Sequence, residues 1–348
     1  MSTSTPSRRR LIVFALLVAA CAVVAVVAIV TGANSGGSPA KPTAGASKVL
    51  PQAEARRQPM VVYRVVDPRR PTAGGQVAIA PAGASPGHRT LTSLSCDRVY
   101  YAAAGGGICL ARGTGFAPGY EAKLFGPDLK VRHTVSVDGI PSRARVSPDG
   151  RYASVTLFVT GDSYADAGSF STRTTIIDVA RGRKLADLED FTVLHGQRQV
   201  TALDVNYWGV TFARNSDRFY ATLATGGRTY LIEGSVSARR AHVIHDNVEC
   251  PSLSPDGTRV VYKKRGPDRS NPWRLTVLDL KTMHETPLAE TRSVDDQGEW
   301  LDDGHVLYGL DGAVWEVPAD GSGQPRRYIA RAGSPAVVRW GAGASAAG

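Results

Sequence analysis

Residues 251–265 read PSLSPDGTRVVYKKR, and residues 273–280 read WRLTVLDL. In the first stretch two short apolar runs meet at Ser254, Pro255, Asp256 and Gly257. Each turn residue has a mechanical role. Proline presets φ at the first corner, aspartate accepts a nearby backbone N–H, and glycine takes the left-handed position that reverses the chain. The stretch therefore reads as a β-hairpin, with a third strand at 273–280 and a fourth in HETPLAE at 284–290.

The same order recurs on both sides of it. SRARVSPDGRYASVTLFV at 142–159 leads to TRTTIIDVARGRKLADL at 172–188, and weaker copies open at Val99, Tyr207 and Asp296. A four-stranded unit repeated at about 40–50 residues marks a β-propeller, whereas sandwiches and barrels do not repeat. No stretch of a dozen residues carries apolar positions at i, i+3, i+4 and i+7, so an all-β domain is expected over 60–340. Its roughly 280 residues can bury about three quarters of the unfolded surface in one domain.

Five units are complete, and the remainder is split between the two ends. PAVVRW at 335–340 has the pattern of an inner strand with nothing after it; MVVYRVV at 60–66, GQVAIAP at 75–81 and HRTLTSLS at 88–95 lack an inner partner. Together they predict a sixth blade that closes the ring. Closure leaves no open strand edge, so a monomer is expected. The S-P-D-G hairpin followed by VLDL or IIDV resembles the PD repeat of TolB-like six-bladed propellers, relatives of the WD-repeat propellers. Two copies match well, at 147–150 and 254–257, while NSD at 215–217 and DDG at 302–304 are degenerate. The resemblance spans 60–340 and implies the architecture alone. TolB's smaller N-terminal α/β domain has no counterpart here, so its envelope partners do not carry over.

What precedes the propeller is an apolar run, LIVFALLVAACAVVAVVAIV at 11–30, preceded by Arg8, Arg9 and Arg10. Twenty helical residues span about 30 Å, the thickness of a bilayer core. The basic flank holds a tail over 1–10 in the cytoplasm, so a membrane anchor over 11–31 places everything after it outside. Two alternatives stay open: a cleaved secretory signal, and lipidation at Cys21, which follows Val18, Ala19 and Ala20 in a lipobox-like run. Residues 32–59 are rich in Gly, Ala, Ser and Pro and read as a disordered linker, with an r.m.s. reach of roughly 30 Å. The tail 341–348 is equally featureless.

The whole chain has 41 Lys plus Arg against 31 Asp plus Glu, a formal charge of +10, and subtracting Arg8–Arg10 leaves +7 outside. Scattered charge of that size is mainly a solubility device with some attraction for anionic wall polymers or lipid headgroups, and nucleic acid is not expected at that address. Of the four cysteines, Cys96 and Cys109 are the disulfide candidates, and Cys250 is the odd one, expected as a small buried residue.

No chemistry stands out. The sequence holds no G-x-S-x-G elbow, H-E-x-x-H, C-x-x-C or G-K-[ST] loop. Asp149 and Asp256 belong to the turns. His242 and His245, three apart on a strand, are expected on opposite faces and so make a poor metal pair. Asp162 and Asp166 lack calcium-loop spacing. No cofactor or metal is expected. Trp300 and Trp340 fall in a core slot shared with Leu253 and Val146. The remaining binding candidate is the channel mouth, where the loops entering the inner strands bring Arg143, Arg145, Trp208, Glu249, Glu299 and Arg339. The expected protein is thus a membrane-anchored, extracytoplasmic, non-catalytic propeller that binds an envelope protein or cell-wall polymer. The rivals are an exported propeller enzyme of hydrolase or lactonase type and a lipoprotein accessory to envelope signalling.

Overall fold

In the computed structural model the described residues are 59–67, 69, 74–83, 89–102, 106–113, 119–160 and 170–339. The anchor and Cys21, the linker up to 58, Asp162, Asp166, Trp340 and the tail lie outside them. Among the described residues no helix is long and apolar enough to cross a membrane.

The chain opens with β1 (Met60–Val65), β2 (Gly75–Pro81) and β3 (Thr90–Cys96). The first blade is β4 (Arg98–Ala102), β5 (Gly106–Arg112), β6 (Tyr120–Phe125) and β7 (Val131–Val137); the second is β8 (Ile140–Val146), β9 (Tyr152–Thr160), β10 (Ser171–Asp178) and β11 (Arg183–Asp187). A 3-10 turn at Leu188–Asp190 then leads to β12 (Thr192–His195) and β13 (Arg198–Gln199). The third blade is β14 (Asn206–Phe212), β15 (Arg218–Thr225), β16 (Arg228–Ser235) and β17 (Arg240–Asp246); the fourth is β18 (Glu249–Leu253), β19 (Arg259–Arg265), β20 (Trp273–Asp279) and β21 (Glu285–Pro287). The fifth is β22 (Glu299–Trp300), β23 (His305–Leu310), β24 (Ala313–Pro318) and β25 (Arg326–Ala330). The last strand, β26 (Ala332–Val338), pairs antiparallel with β1 to make the sixth sheet, in the order β26-β1-β2-β3. The predicted six-bladed ring closed by both ends of the domain is what forms.

The innermost strands touch in the cycle β26, β4, β8, β14, β18, β22 and back to β26. Burial follows from that position. β1 is buried at nearly every residue because both its faces meet neighbouring blades, while the outer strand β3 alternates and leaves every second residue to solvent. The apolar core is accordingly divided into clusters at the junctions between blades. Val62 and Ile79 of the sixth blade meet Val99 and Phe125 of the first. Tyr63 and Ala78 on the other face meet Leu307 and Val314 of the fifth.

The S-P-D-G turns are built as the sequence requires. Arg151 N donates to Asp149 Oδ1 at 2.9 Å and Thr258 N to Asp256 Oδ1 at 2.9 Å, while Gly150 and Gly257 take φ of 73° and 78°. The next blade's degenerate turn staples each in place. Asp149 N donates to Ser216 Oγ, and Asp256 N to Asp303 Oδ1 at 3.1 Å. The aspartates are structural.

Cys96 and Cys109 form a disulfide with Cα atoms 5.4 Å apart. It joins β3 to β5 and so ties the sixth blade to the first. Cys250 is free and buried. A bridge across a separation of 13 residues constrains the unfolded chain by about 3 kcal/mol. Replacing both cysteines by serine is expected to lower Tm by about 5–10 °C, read by calorimetry. A melting point unchanged from wild type would refute that role.

Two features depart from the sequence reading. The third sheet has six strands, because β12 pairs in parallel with β17 and β13 extends it outward. In addition, a bulge in β17 leaves His242 opposite Glu233 and His245 opposite Leu231. Those partners are two apart, which returns both histidines to one face; the strict alternation expected from their spacing fails at the bulge. His245 Nε2 lies 3.0 Å from Glu285 Oε1.

The turn before β12 carries Glu189, whose carboxyl burial pushes up to about 7, although Thr174 N donates to its Oε1 at 3.1 Å. A carboxyl raised in the folded state favours the protonated form. Its penalty is therefore absent at pH 4, grows as pH rises through neutrality and then levels off. Glu189→Gln is expected to stabilise the protein by about 1–3 kcal/mol at pH 8 and to be neutral at pH 4, read by denaturant melts at both pH values.

Candidate functional site

Each inner strand runs from an entry end, where the chain arrives from the previous blade, to the turn end that holds the S-P-D-G loops. Along β8, Arg143 lies two residues, about 6.6 Å, nearer the entry end than Arg145. The two arginines serve different layers.

In the lower layer, Arg145 Nη2 lies 3.5 Å from Glu299 Oε2, donates to Gly298 O at 3.0 Å, and its guanidinium stacks 4.5 Å over the Tyr100 ring. Glu299 Oε1 accepts Val337 N at 3.0 Å, and Arg339 Nη2 donates to Trp300 O. Burial raises the Glu299 carboxyl despite Arg145 and Arg339 beside it. Glu299 and Arg339 therefore latch the fifth blade's inner strand to the closing strand. Trp300 packs in the core and donates its Nε1 to Ser252 O at 2.8 Å.

In the upper layer the central residue is Lys263, at the entry end of β19 and 0% exposed. Its Nζ donates to Asp295 Oδ1 at 2.6 Å and lies 3.7 Å from Glu249 Oε2 and 4.0 Å from the Trp273 ring centroid. Arg265 Nε donates to Glu249 Oε1 at 3.0 Å. Arg143 Nη2 approaches Asp295 Oδ1 at 3.4 Å. Burial opposes the Asp295 charge, yet Lys263, Arg143 and Arg98 bring its carboxyl down to about 2.

Asp295 belongs to the segment that leads into β22. From the fifth blade, Gln297 Nε2 donates to Gly209 O at 3.2 Å and Pro251 O at 2.7 Å, Asp295 meets Arg143, and Asp296 Oδ2 accepts Gly309 N at 2.8 Å. The side chains of Asp295 and Gln297 thus reach residues of the second, third and fourth blades across the entry end. Gly209 lets the inner strands of the third and fourth blades approach: at φ 65° its Cα faces Cys250, and a Cβ there would lie 2.6 Å from Cys250 Cα.

Of the six mouth residues expected from sequence, Arg143 and Glu249 meet through Lys263 and Asp295, and Arg145, Glu299 and Arg339 form the latch below. Trp208 joins neither. It is 1% exposed, packed with Phe158, Cys250 and Trp273, with Phe170 edge-on at 5.6 Å. The aromatic residue beside the charges is Trp273 instead. Lys263 and Asp295 went unread because KKR at 263–265 has the look of a solvated strand end and DDQG that of a linker. The available signal was a run of polar residues directly ahead of an inner strand only two residues long. Among the described residues no group of three or more His, Cys, Asp and Glu is placed to hold a metal.

Fold and channel together define a six-bladed propeller of the TolB type in architecture. The chain is similar to TolB from Acinetobacter baumannii, at 14% identity and a TM-score of 0.55, with 80% of this chain and 66% of that one covered. It thus spans just under two thirds of that protein's length. It is also similar to a chain of a nidogen/laminin complex, at 8% identity and a TM-score of 0.51, covering 80% of this chain and 98% of that one. These likenesses concern the fold. No protein-family model matches the chain, and no curated protein matches it.

Proposed function

We propose that this chain is a non-catalytic binding module of the bacterial cell envelope, held to the membrane through residues 11–30 and presenting the entry end of its propeller to a protein partner. The observation that carries the reading is the entry-end cluster of Lys263, Arg143, Glu249 and Asp295 beside Trp273, in which Asp295 keeps 46% of its side chain exposed. A buried set of paired charges that reaches solvent through one side chain offers a partner directional contacts. The nidogen/laminin likeness, a propeller crystallised in a protein complex, and the TolB fold support a binding role. The apolar run after three arginines supports the address.

A photo-crosslinking residue at Ser270, exposed on the β19–β20 loop at the entry end, is compared in intact cells with one at Thr258, exposed at the turn end. Discrete adducts with envelope proteins from Ser270 and none from Thr258 are expected. Adducts from neither position, or equally from both, would reject the entry end as the binding surface.

A further inference from the structure

We propose that the entry-end mouth is a receptor for a carboxylate of an acidic partner peptide, and that Asp295 occupies it as an internal stand-in for that ligand. The inference rests on the binding role proposed above and gives the partner its chemistry.

A lysine withdrawn wholly from water needs an anion close to it. One of the two acids near Lys263, Glu249, is itself fully buried and shared with Arg265, as a structural counter-ion should be. The other, Asp295, is the closer at 2.6 Å and is different in kind. It sits on a segment between strands rather than in one, and nearly half its side chain faces solvent. Lys263 and Arg143 both point at its Oδ1, and Arg98 adds to the field on the same carboxylate. Two cations thus converge on one exposed acid, with the Trp273 ring 4.0 Å from the Lys263 ammonium as an apolar wall.

Such a site can change ligand at constant charge. An incoming carboxylate takes the place of Asp295 Oδ1, and Asp295, already half solvated, swings into water. Lys263 and Arg143 remain neutralised throughout, so no buried charge is stripped during the exchange. A phosphate polymer suits the site less well, because its tetrahedral units are bulkier than the planar carboxylate now held beside the buried Glu249. The preference is for aspartate or glutamate side chains on a flexible segment.

The test uses the full chain and a fluorescent tetraglutamate peptide, with tetraglutamine and inorganic polyphosphate as alternative probes. Asp295→Asn keeps the shape of the side chain and removes its charge. It is expected to tighten tetraglutamate binding at least tenfold and leave tetraglutamine unchanged. Asp311→Asn removes the same charge at an exposed site, with 72% of that side chain free, and is expected to change affinity less than twofold. Adding Arg143→Gln to Asp295→Asn should abolish the gain, with thermal melts showing that each variant is folded. Equal tightening by Asp295→Asn and Asp311→Asn, weaker binding in Asp295→Asn, or a gain for polyphosphate alone would each overturn the proposal. Adducts at Ser270 without any Asp295-dependent gain would remove the carboxylate assignment and leave the binding module standing.

Discussion

A chain that ends at Arg331 is expected not to fold cooperatively. The missing strand, β26, takes up one edge of β1 in the register Met60 to Val338 and Val62 to Ala336. Its side chains also serve both neighbouring junctions. Ala336 and Val338 belong to the cluster shared with the first blade, and Ala332 and Val337 to the one shared with the fifth. Removing them exposes Val61, Val62 and Tyr63, each no more than 1% exposed in the intact ring. At about 1–3 kcal/mol for each buried apolar side chain, the loss is about 5–10 kcal/mol, as large as the whole stability of an ordinary domain. The unpaired edge of β1 would also invite association. Calorimetry should show no unfolding transition for the truncated chain. Ala336→Asp, which forces a carboxyl into a fully buried site, is expected to cost at least about 3 kcal/mol. A truncated chain that melts within a few degrees of the full one would show that the ring does not depend on its terminal strand.

The ring was legible because its signals are local. Each S-P-D-G turn declares its hairpin within four residues, and the unpaired runs at the two ends could only complement each other. What was not legible depends on contacts made across the ring or between distant strands. β12 and β13 hold four and two residues, and β12 finds its place only by pairing with β17, Thr192 opposite Arg240. No turn chemistry marks a pairing of that sequence separation. The histidine pair shows the complementary failure. Alternation is a sound rule along a regular strand, and one bulged residue undoes it. The loops that enter the inner strands mark out a mouth in the sequence, but which side chains meet there was not readable. Whether an arginine on β8 faces Glu299 or Asp295 depends on a two-residue step and on the segment of the fifth blade that leads into β22. Trp208 illustrates the same limit. Large aromatic residues at strand starts are core residues or ligand platforms according to what the neighbouring blade places against them, and here Phe158, Phe170 and Trp273 enclose it.

Lys263→Met is expected to cost about 3 kcal/mol, the larger part of it from the anions left behind rather than from the lost contacts. In the intact protein burial and Arg143 pull the Lys263 ammonium down, yet Cys250, Asp295 and Glu249 together hold it above the ordinary lysine range. Methionine fills a similar volume and keeps the contact with Trp273, so packing is nearly conserved. Glu249, however, keeps only Arg265 as a direct salt-bridge partner, and that arginine is one-third exposed. The penalty should be smaller at pH 4 than at pH 7, because protonating a stranded carboxyl relieves it. Glu249→Gln alone leaves Lys263 with Asp295 and is expected to cost less, about 1–2 kcal/mol, with no such relief at low pH. The double variant, Lys263→Met with Glu249→Gln, removes both members of the pair and should recover at least about 1 kcal/mol relative to the sum of the single costs. Denaturant melts of the four proteins at both pH values give the cycle. Additive costs that do not change with pH would mean that Lys263 and Glu249 act independently. The mouth would then be held by packing against Trp273 rather than by its charges, and a ligand carboxylate would have no poised ammonium to meet.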